Sequence, residues 1–392
     1  MSEHEPEYGR PRIALVLPGG GARSAYQVGV LNAIAGWCPP GVPLPFSVIT
    51  GTSAGAINAA VLASRAGTVQ EAAADLARVW GGFRVEQVFR AGALDMIRAG
   101  MHLFLALVTG GLVLPMPRAI FDNSPLRELL KKSVDFEQLG RVLARGQPDS
   151  LAVTATSLSS GESVTFVQSS RPFRAWQRAG RRGVEASLAV DHLIASSAIP
   201  LLFPPVSMDG SHYGDGAMRQ FTPLAPAIHL GADRLLVIGV RPPGQPARGP
   251  VPEPNMADQF GFMLDSLFME GLQADLERLA RVNALIEHAR PGPAPLGLHP
   301  VETLLMLPRR DPGEIALAHR MEMPRTLLSF LRILGATGVR GGRLLSYLLF
   351  ESGYTRELIR VGERDAEARR AEVSAFLGIE CPPAGAVPMP PA

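Results

Sequence analysis

Short apolar runs alternate with stretches of helical spacing along the first 240 residues of the chain. Residues 13–18 (Ile13 to Pro18), the run Val48, Ile49 and Thr50, and residues 235–240 are continuously apolar or nearly so, the pattern of strands buried on both faces. Residues 151–157 and 163–167 alternate or run apolar around Ser159, Ser160, Gly161 and Glu162, which predicts a hairpin. Helical spacing covers 25–35, the segment after Gly55, and 68–80, where Thr68 and Glu71 stand as a capping pair. A further helix starts at Ser124 as its cap, with Pro125 at the first helical position. A short one over 190–198 is stopped by Pro200, Pro204 and Pro205. Strands alternating with helices predict an α/β fold: a mainly parallel sheet, helices on both faces, and antiparallel additions.

Past residue 240 the chain changes character. Residues 241–256 are a proline-rich linker. Over 258–289 the apolar positions Phe262, Leu264, Leu267, Leu272, Leu276, Leu279, Val282 and Ile286 predict one long amphipathic helix. Leu304 to Leu307 suggest one more strand, and 324–350 and 355–377 read as helices, so 257–378 is mostly helical. Residues 379–392 are rich in Pro and Ala and read as a disordered tail. The helix over 324–350 carries arginines at 325, 332, 340 and 343; it either packs on the main domain or lies on an anionic membrane. Residues 99–117 hold an apolar stretch that Gly110, Gly111 and Pro115 break before it reaches the ~20 residues of a membrane span. It is a core helix, a lid, or a membrane-docking element.

Three motifs carry chemistry. After the first strand comes Gly19, Gly20, Gly21, Ala22, Arg23 and Ser24. Glycines after a strand expose backbone N–H groups, the makings of an anion cradle. A dinucleotide fingerprint would need glycine where Ser24 stands and an acidic residue closing the second strand, and neither is present. The second strand runs instead into Gly51, Thr52, Ser53, Ala54 and Gly55, a G-x-S-x-G pattern between strand and helix. That is the context in which a serine stands on a sharp turn at a helix N-terminus as a nucleophile; alternatively Ser53 is a plain cap. The third motif lies in 208–218, with two Asp-Gly pairs. Asp209 and Gly210 suit a hairpin turn, which leaves Asp215, with Gly216 and Ala217 behind it, as the better candidate for a base.

In this order the three motifs resemble the patatin-like phospholipases, with segments around Ser196 to Pro205 and His229 to Asp233 agreeing; Ser24 departs from the family's usual glycine. The resemblance covers about residues 11–240. It implies a three-layer patatin-like sandwich with a helical C-terminal extension, and a catalytic domain over 11–240. It implies Ser53 as nucleophile, Asp215 as proton acceptor, and an oxyanion loop formed by Gly19, Gly20, Gly21, Ala22 and Arg23. Gly51 and Gly55 would shape the elbow, and Gly216 and Ala217 complete the aspartate motif. The implied activity is a serine acyl hydrolase acting on phospholipid or lysophospholipid at a membrane or micelle surface, without metal or cofactor. A carboxylesterase or acylglycerol lipase, and a lipid-binding regulator without turnover, are the alternatives. Of eight histidines, His212 and His229 are the rival bases, and Asp122 the rival acid.

Composition narrows the setting. Of 392 residues 46% are hydrophobic and the formal net charge is +2, so no nucleic-acid partner is implied. Lys131 and Lys132 are the only lysines, which reads as base composition rather than function. Two cysteines, Cys38 and Cys381, form neither a disulfide framework nor a metal pattern and fit a reducing compartment. Residues 1–7 are polar and acidic, unlike a signal peptide, so the expectation is a cytoplasmic protein, peripheral on the inner membrane face.

Overall fold

The computed structural model describes residues 11–242, 253–288 and 299–379, apart from 66, 91, 93–97, 99, 103, 104, 107, 111, 113–116, 147, 337, 339 and 340. The acidic N-terminal segment, most of the proline-rich linker and the tail beyond 379 lie outside the described residues. So does much of 99–117; of the described positions there, Met101, Leu105, Val108 and Leu112 are exposed and Ala106 is buried.

The strands are β1 (Ile13–Leu17), β2 (Val48–Thr52), β3 (Ser150–Ser157), β4 (Ser163–Ser169), β5 (Trp176–Arg178), β6 (Arg181–Glu185), β7 (Val206–Met208), β8 (Ser211–Asp215), β9 (Arg234–Ile238) and β10 (Glu302–Met306). Among the described residues they form one sheet in the order β10-β9-β1-β2-β3-β4-β6-β5, with β8 joined to β3 and β7 to β8. From β10 to β3 every neighbour is parallel. Every residue of β1, β2 and β3 is buried. Successive side chains of a strand point to opposite faces, so both faces of this part of the sheet are covered, as continuous apolar runs require.

The chain winds from β1 to β2 to β3 on one side and returns to β9 and β10 on the other. Strand order therefore reverses at β1, and the carboxyl ends of β1 and β2 are where an open α/β sheet leaves a crevice. Two helices follow those ends: α1 (Ala25–Trp37), entered through a 3₁₀ turn over Gly21–Ser24, and α2 (Ala54–Ala63). The next, α3 (Val69–Gly81), has the full capping box of Thr68 and Glu71. At α4 (Ser124–Ser133) the helix begins one residue earlier than expected: Ser124 is its first residue, and Asp122 Oδ1 accepts the Ser124 N–H at 2.8 Å. Asp122 is thereby spent on a turn and on a pair with Arg90. Further helices are α5 (Phe136–Ala144), α6 (Val190–Ser196) and α7 (Ala225–His229).

The C-terminal helices are more broken than their spacing suggests. The single helix expected over 258–289 is α8 (Met256–Asp265), a π-helical turn at Ser266–Glu270, and α9 (Gly271–His288). The stretch 324–350 is two helices, α11 (Arg325–Ile333) and α12 (Gly342–Leu348), because Gly335 adopts φ 89° and ends the first. Likewise 355–377 divides into α13 (Ser352–Glu367) and α14 (Arg370–Leu377); α10 (Pro312–His319) precedes them all except α8 and α9. Residues 257–378 do not sit apart. They add β10 to the sheet and lay α13 along α1, where Gly29 and Gly362 bring the backbones together: a Cβ on Gly29 would lie 2.0 Å from the Ile359 carbonyl oxygen.

Candidate active site

Ser53 and Asp215 are 162 positions apart, and the register of β3 explains how they meet. Thr52, the last residue of β2, is opposite Thr154. Asp215, the last residue of β8, is opposite Ala155. β2 runs parallel to β3 and β8 antiparallel, so the two strands arrive from opposite directions along one edge of β3 and stop at adjacent rungs. The residue after Thr52 is Ser53. Its Oγ donates to Asp215 Oδ2 at 2.6 Å.

Ser53 has φ 55° and ψ −130°, a conformation costing a non-glycine residue about 1–3 kcal/mol. Tight packing holds it there. A Cβ on Gly55 would fall 2.0 Å from the Leu17 carbonyl oxygen, so only glycine lets α2 start this close to β1. The Ser53 N–H donates to Ser196 Oγ at 2.8 Å, and Ser196 Oγ–H donates to the Thr154 carbonyl at 2.6 Å. Ser196 on α6 is thus a tether for the strained serine, a role that its local spacing does not specify.

Asp215 is held just as firmly. Its N–H donates to the Ala198 carbonyl at 2.8 Å, its own carbonyl accepts from Thr156 Oγ1 at 2.8 Å, and Oδ1 accepts the Ala217 N–H at 2.9 Å. Among the described residues no cation pairs with it. Asp215 is 1% exposed and Ser53 2%. Burial pushes the Asp215 carboxyl up from 3.8 to about 7, against the opposing pull of the Ser53 and Ala217 hydrogen bonds.

The glycine loop lies directly beside the serine. A Cβ on Gly19 would be 2.9 Å from Ser53 Cβ and 2.6 Å from the Phe268 ring. Among the described residues the N–H groups of Gly20, Gly21 and Ala22 have no hydrogen-bond acceptor, whereas the Arg23 N–H is committed to the Gly20 carbonyl at 3.1 Å. A buried amide relay supports the loop from beneath. Trp80 Nε1 donates to Asn58 Oδ1 at 2.6 Å, Asn58 Nδ2 to Gln27 Oε1 at 2.9 Å, and Gln27 Nε2 to the Pro18 carbonyl at 2.9 Å. The Arg23 guanidinium points away from the serine and is buried. It pairs with Asp265 at 2.9 Å, donates to Ser346 Oγ at 2.7 Å, and lies 3.9 Å over the Tyr347 ring. Tyr347 also donates to Asp265 at 2.7 Å. The C-terminal helices α8 and α12 therefore clamp the loop, and Phe268 of the π turn, stacked on Tyr347, roofs the site.

Neither rival histidine reaches the serine. His212 is exposed on the β7–β8 hairpin, whose turn is made by Asp209 and Gly210 with φ of 48° and 74°. His229 stacks on Trp176 at 4.6 Å. Among the described residues no three acidic, His or Cys side chains gather as a metal site, and no helix is long and apolar enough to cross a membrane.

The family model of the patatin-like phospholipases matches residues 15–228, a span that includes the glycine loop, the elbow and Asp215. No curated protein sequence matches the chain. Among solved structures, human group IVD cytosolic phospholipase A2 bound to methyl γ-linolenyl fluorophosphonate is similar, with 13% identity and a TM-score of 0.46 over 94% of this chain. The match spans 59% of that protein. VipD from Legionella pneumophila has 14% identity and a TM-score of 0.34, covering 90% of this chain and 67% of that one. The type III effector ExoU has 15% identity and a TM-score of 0.31, covering 89% and 54%.

Proposed function

The chain belongs to the patatin-like phospholipase family, and on that premise we propose that it is a serine lipid acyl hydrolase working through a Ser53–Asp215 dyad. The observation that carries the reading is the 2.6 Å hydrogen bond from Ser53 Oγ to a buried carboxylate that no cation among the described residues neutralises. A serine hydroxyl needs a base. A carboxyl raised to about 7 is a far better proton acceptor at neutral pH than an ordinary aspartate, while still able to return the proton.

In this reading Asp215 takes the Ser53 proton as Oγ attacks the ester carbonyl. The oxyanion forms against the N–H groups of Gly20, Gly21 and Ala22, each donor worth about 3–4 kcal/mol in the transition state. Collapse expels the alcohol, which leaves with the proton from Asp215. The same carboxylate then activates water to release the fatty acid. The chemistry belongs to residues 11–240, and 257–378 supply the clamp on Arg23. Since Ser53 is 2% exposed, the Phe268 roof must move aside for an acyl chain to enter. The substrate is a lipid presented at a surface: Leu201 and Ile120, 65% and 40% exposed and joined by a backbone hydrogen bond, offer an apolar contact close to Ala198 and the dyad.

The test is fatty-acid release from micellar phospholipid, lysophospholipid and p-nitrophenyl esters, with fluorophosphonate labelling alongside. Ser53→Ala is expected to abolish labelling and turnover. Asp215→Asn is expected to lower turnover roughly a thousandfold or more with the fold retained. Retention of most activity by Asp215→Asn would overturn the dyad. Labelling of the wild type without hydrolysis of any of the three would overturn the substrate class.

A further inference from the structure

At the opposite end of the sheet from Ser53 lies a cavity of about 550 Å³. Arg12 before β1, Ser150 at the start of β3 and Ser169 at the end of β4 line it. From Ser150 to Ala155, the rung of Asp215, β3 rises about 16 Å at ~3.3 Å per residue, so this is a separate place. Four arginines border it: Arg12, Arg171, Arg174 and Arg178.

The charges there do not balance. Two carboxylates behind the cavity wall hold Arg12: Asp149 takes its guanidinium with both oxygens, at 2.7 and 3.1 Å, and Asp233 accepts its backbone N–H at 2.7 Å. Arg171 comes only within 3.9 Å of Asp149. Arg174 and Arg178 have no carboxylate partner among the described residues. Arg178 is also directly opposite Arg181 across the β5–β6 ladder. Like charges facing each other on adjacent strands are destabilising, and no carboxylate among the described residues forms an ion pair with either. Asp275, which Arg181 influences, is already committed to the Leu224 N–H and to Arg278. The positive field is felt locally: His229, on the cavity wall, is held below its ordinary pKa first by burial and then by Arg178 and Arg181.

We propose that this cavity binds a phosphate-bearing anion, a phosphomonoester or diphosphate, gripped by Arg171, Arg174 and Arg178. Guanidinium forks match phosphate oxygens two at a time, and Arg174 and Arg178, without a carboxylate of their own among the described residues, beside the distantly paired Arg171 call for more than the single charge of a carboxylate. The hydroxyls on the same wall are already committed, Ser150 Oγ donating to Asp149 at 2.7 Å and Ser169 Oγ to the Arg171 carbonyl at 2.9 Å, so the grip is left to the arginines. A soluble phosphate compound and a lipid headgroup share this chemistry.

The experiment is calorimetric titration of the full chain with sodium pyrophosphate, inorganic phosphate, acetate, and phosphatidylcholine vesicles with and without phosphatidic acid. Saturable binding of pyrophosphate or phosphate but not acetate identifies a soluble ligand. Binding of the phosphatidic-acid vesicles alone identifies a headgroup. Arg174→Ala and Arg178→Ala, both at exposed positions, are each expected to weaken binding about tenfold or more, the loss of one charge-assisted contact. Their lysine counterparts are expected to retain part of it. Absence of saturable binding to all the phosphates, or binding unchanged in the double alanine variant with its circular dichroism intact, overturns the proposal.

Discussion

Burying an aspartate beside Ser53 should cost the folded chain stability, and the cost has a defined pH signature. In the native state the Asp215 carboxyl is raised from 3.8 to about 7 by desolvation. Below about pH 4 the residue is protonated in folded and unfolded chains alike, and it has no differential effect. Between about pH 4 and pH 7 the unfolded chain gives up the proton while the folded chain keeps it, so native stability falls with rising pH by about 1.4 kcal/mol per unit. Above about pH 7 the folded carboxyl ionises as well and the loss levels off. Three units of separation amount to about 4 kcal/mol, a large share of a typical domain's stability. Asp215→Asn removes the titration while keeping an acceptor for the Ala217 N–H. The variant should match the wild type near pH 4, gain on it steadily through pH 7, and sit about 4 kcal/mol above it from pH 8. Urea denaturation of both proteins across that range, followed by circular dichroism, gives the difference directly, and other titrating groups cancel. A difference that is flat, or that falls as pH rises, would refute the reasoning. A flat difference would mean that the donors around Asp215 balance desolvation, and a falling one that they outweigh it.

Two further outcomes follow from the packing of the C-terminal helices. Asp265→Asn leaves the buried Arg23 guanidinium without its charge partner and should cost about 3–5 kcal/mol in denaturation, with a parallel fall in esterase turnover as the glycine loop loosens. Adding Arg23→Met to that variant should restore part of the stability. Gly29→Val would drive a side chain into the α13 backbone and should destabilise by roughly 3 kcal/mol or more. In the same helix Gly36→Ala meets nothing within 4 Å and should raise stability by about 0.5–1 kcal/mol, so thermal melts of the pair separate crowding from helix propensity.

What could be read in the chain was whatever its local spacing encodes. The apolar run before Gly19, the G-x-S-x-G turn, the Asp209–Gly210 hairpin and the Thr68–Glu71 cap each depend on residues within a few positions of one another. All four have the expected backbone. What could not be read were partnerships across the sheet. Ser196 sits in a plain Ser-Ser pair, yet it is 143 positions from the N–H it tethers. Arg23 reads only as part of the glycine loop; its partner Asp265 is 242 positions away in a helix whose spacing advertised only an apolar face. Gln27 and Asn58 look like ordinary polar residues of two helices until the fold stacks them beneath Pro18. The breaks at Gly335 and at the π turn are tertiary too: each bends a helix that its own hydrophobic period would have continued.

The meeting of β2 and β8 on β3 has a consequence for how such a molecule can diversify. Serine and aspartate are located by two rungs of one strand, and the length of chain strung between them does not enter into their separation. The segment leaving the sheet after α3 and returning at Ser150 can grow, shrink or be replaced wholesale, whereas the one between β6 and β7 is held to its course by Ser196 and Ala198. The chemistry is anchored to a ruler, and the covering loops hang from it as interchangeable parts.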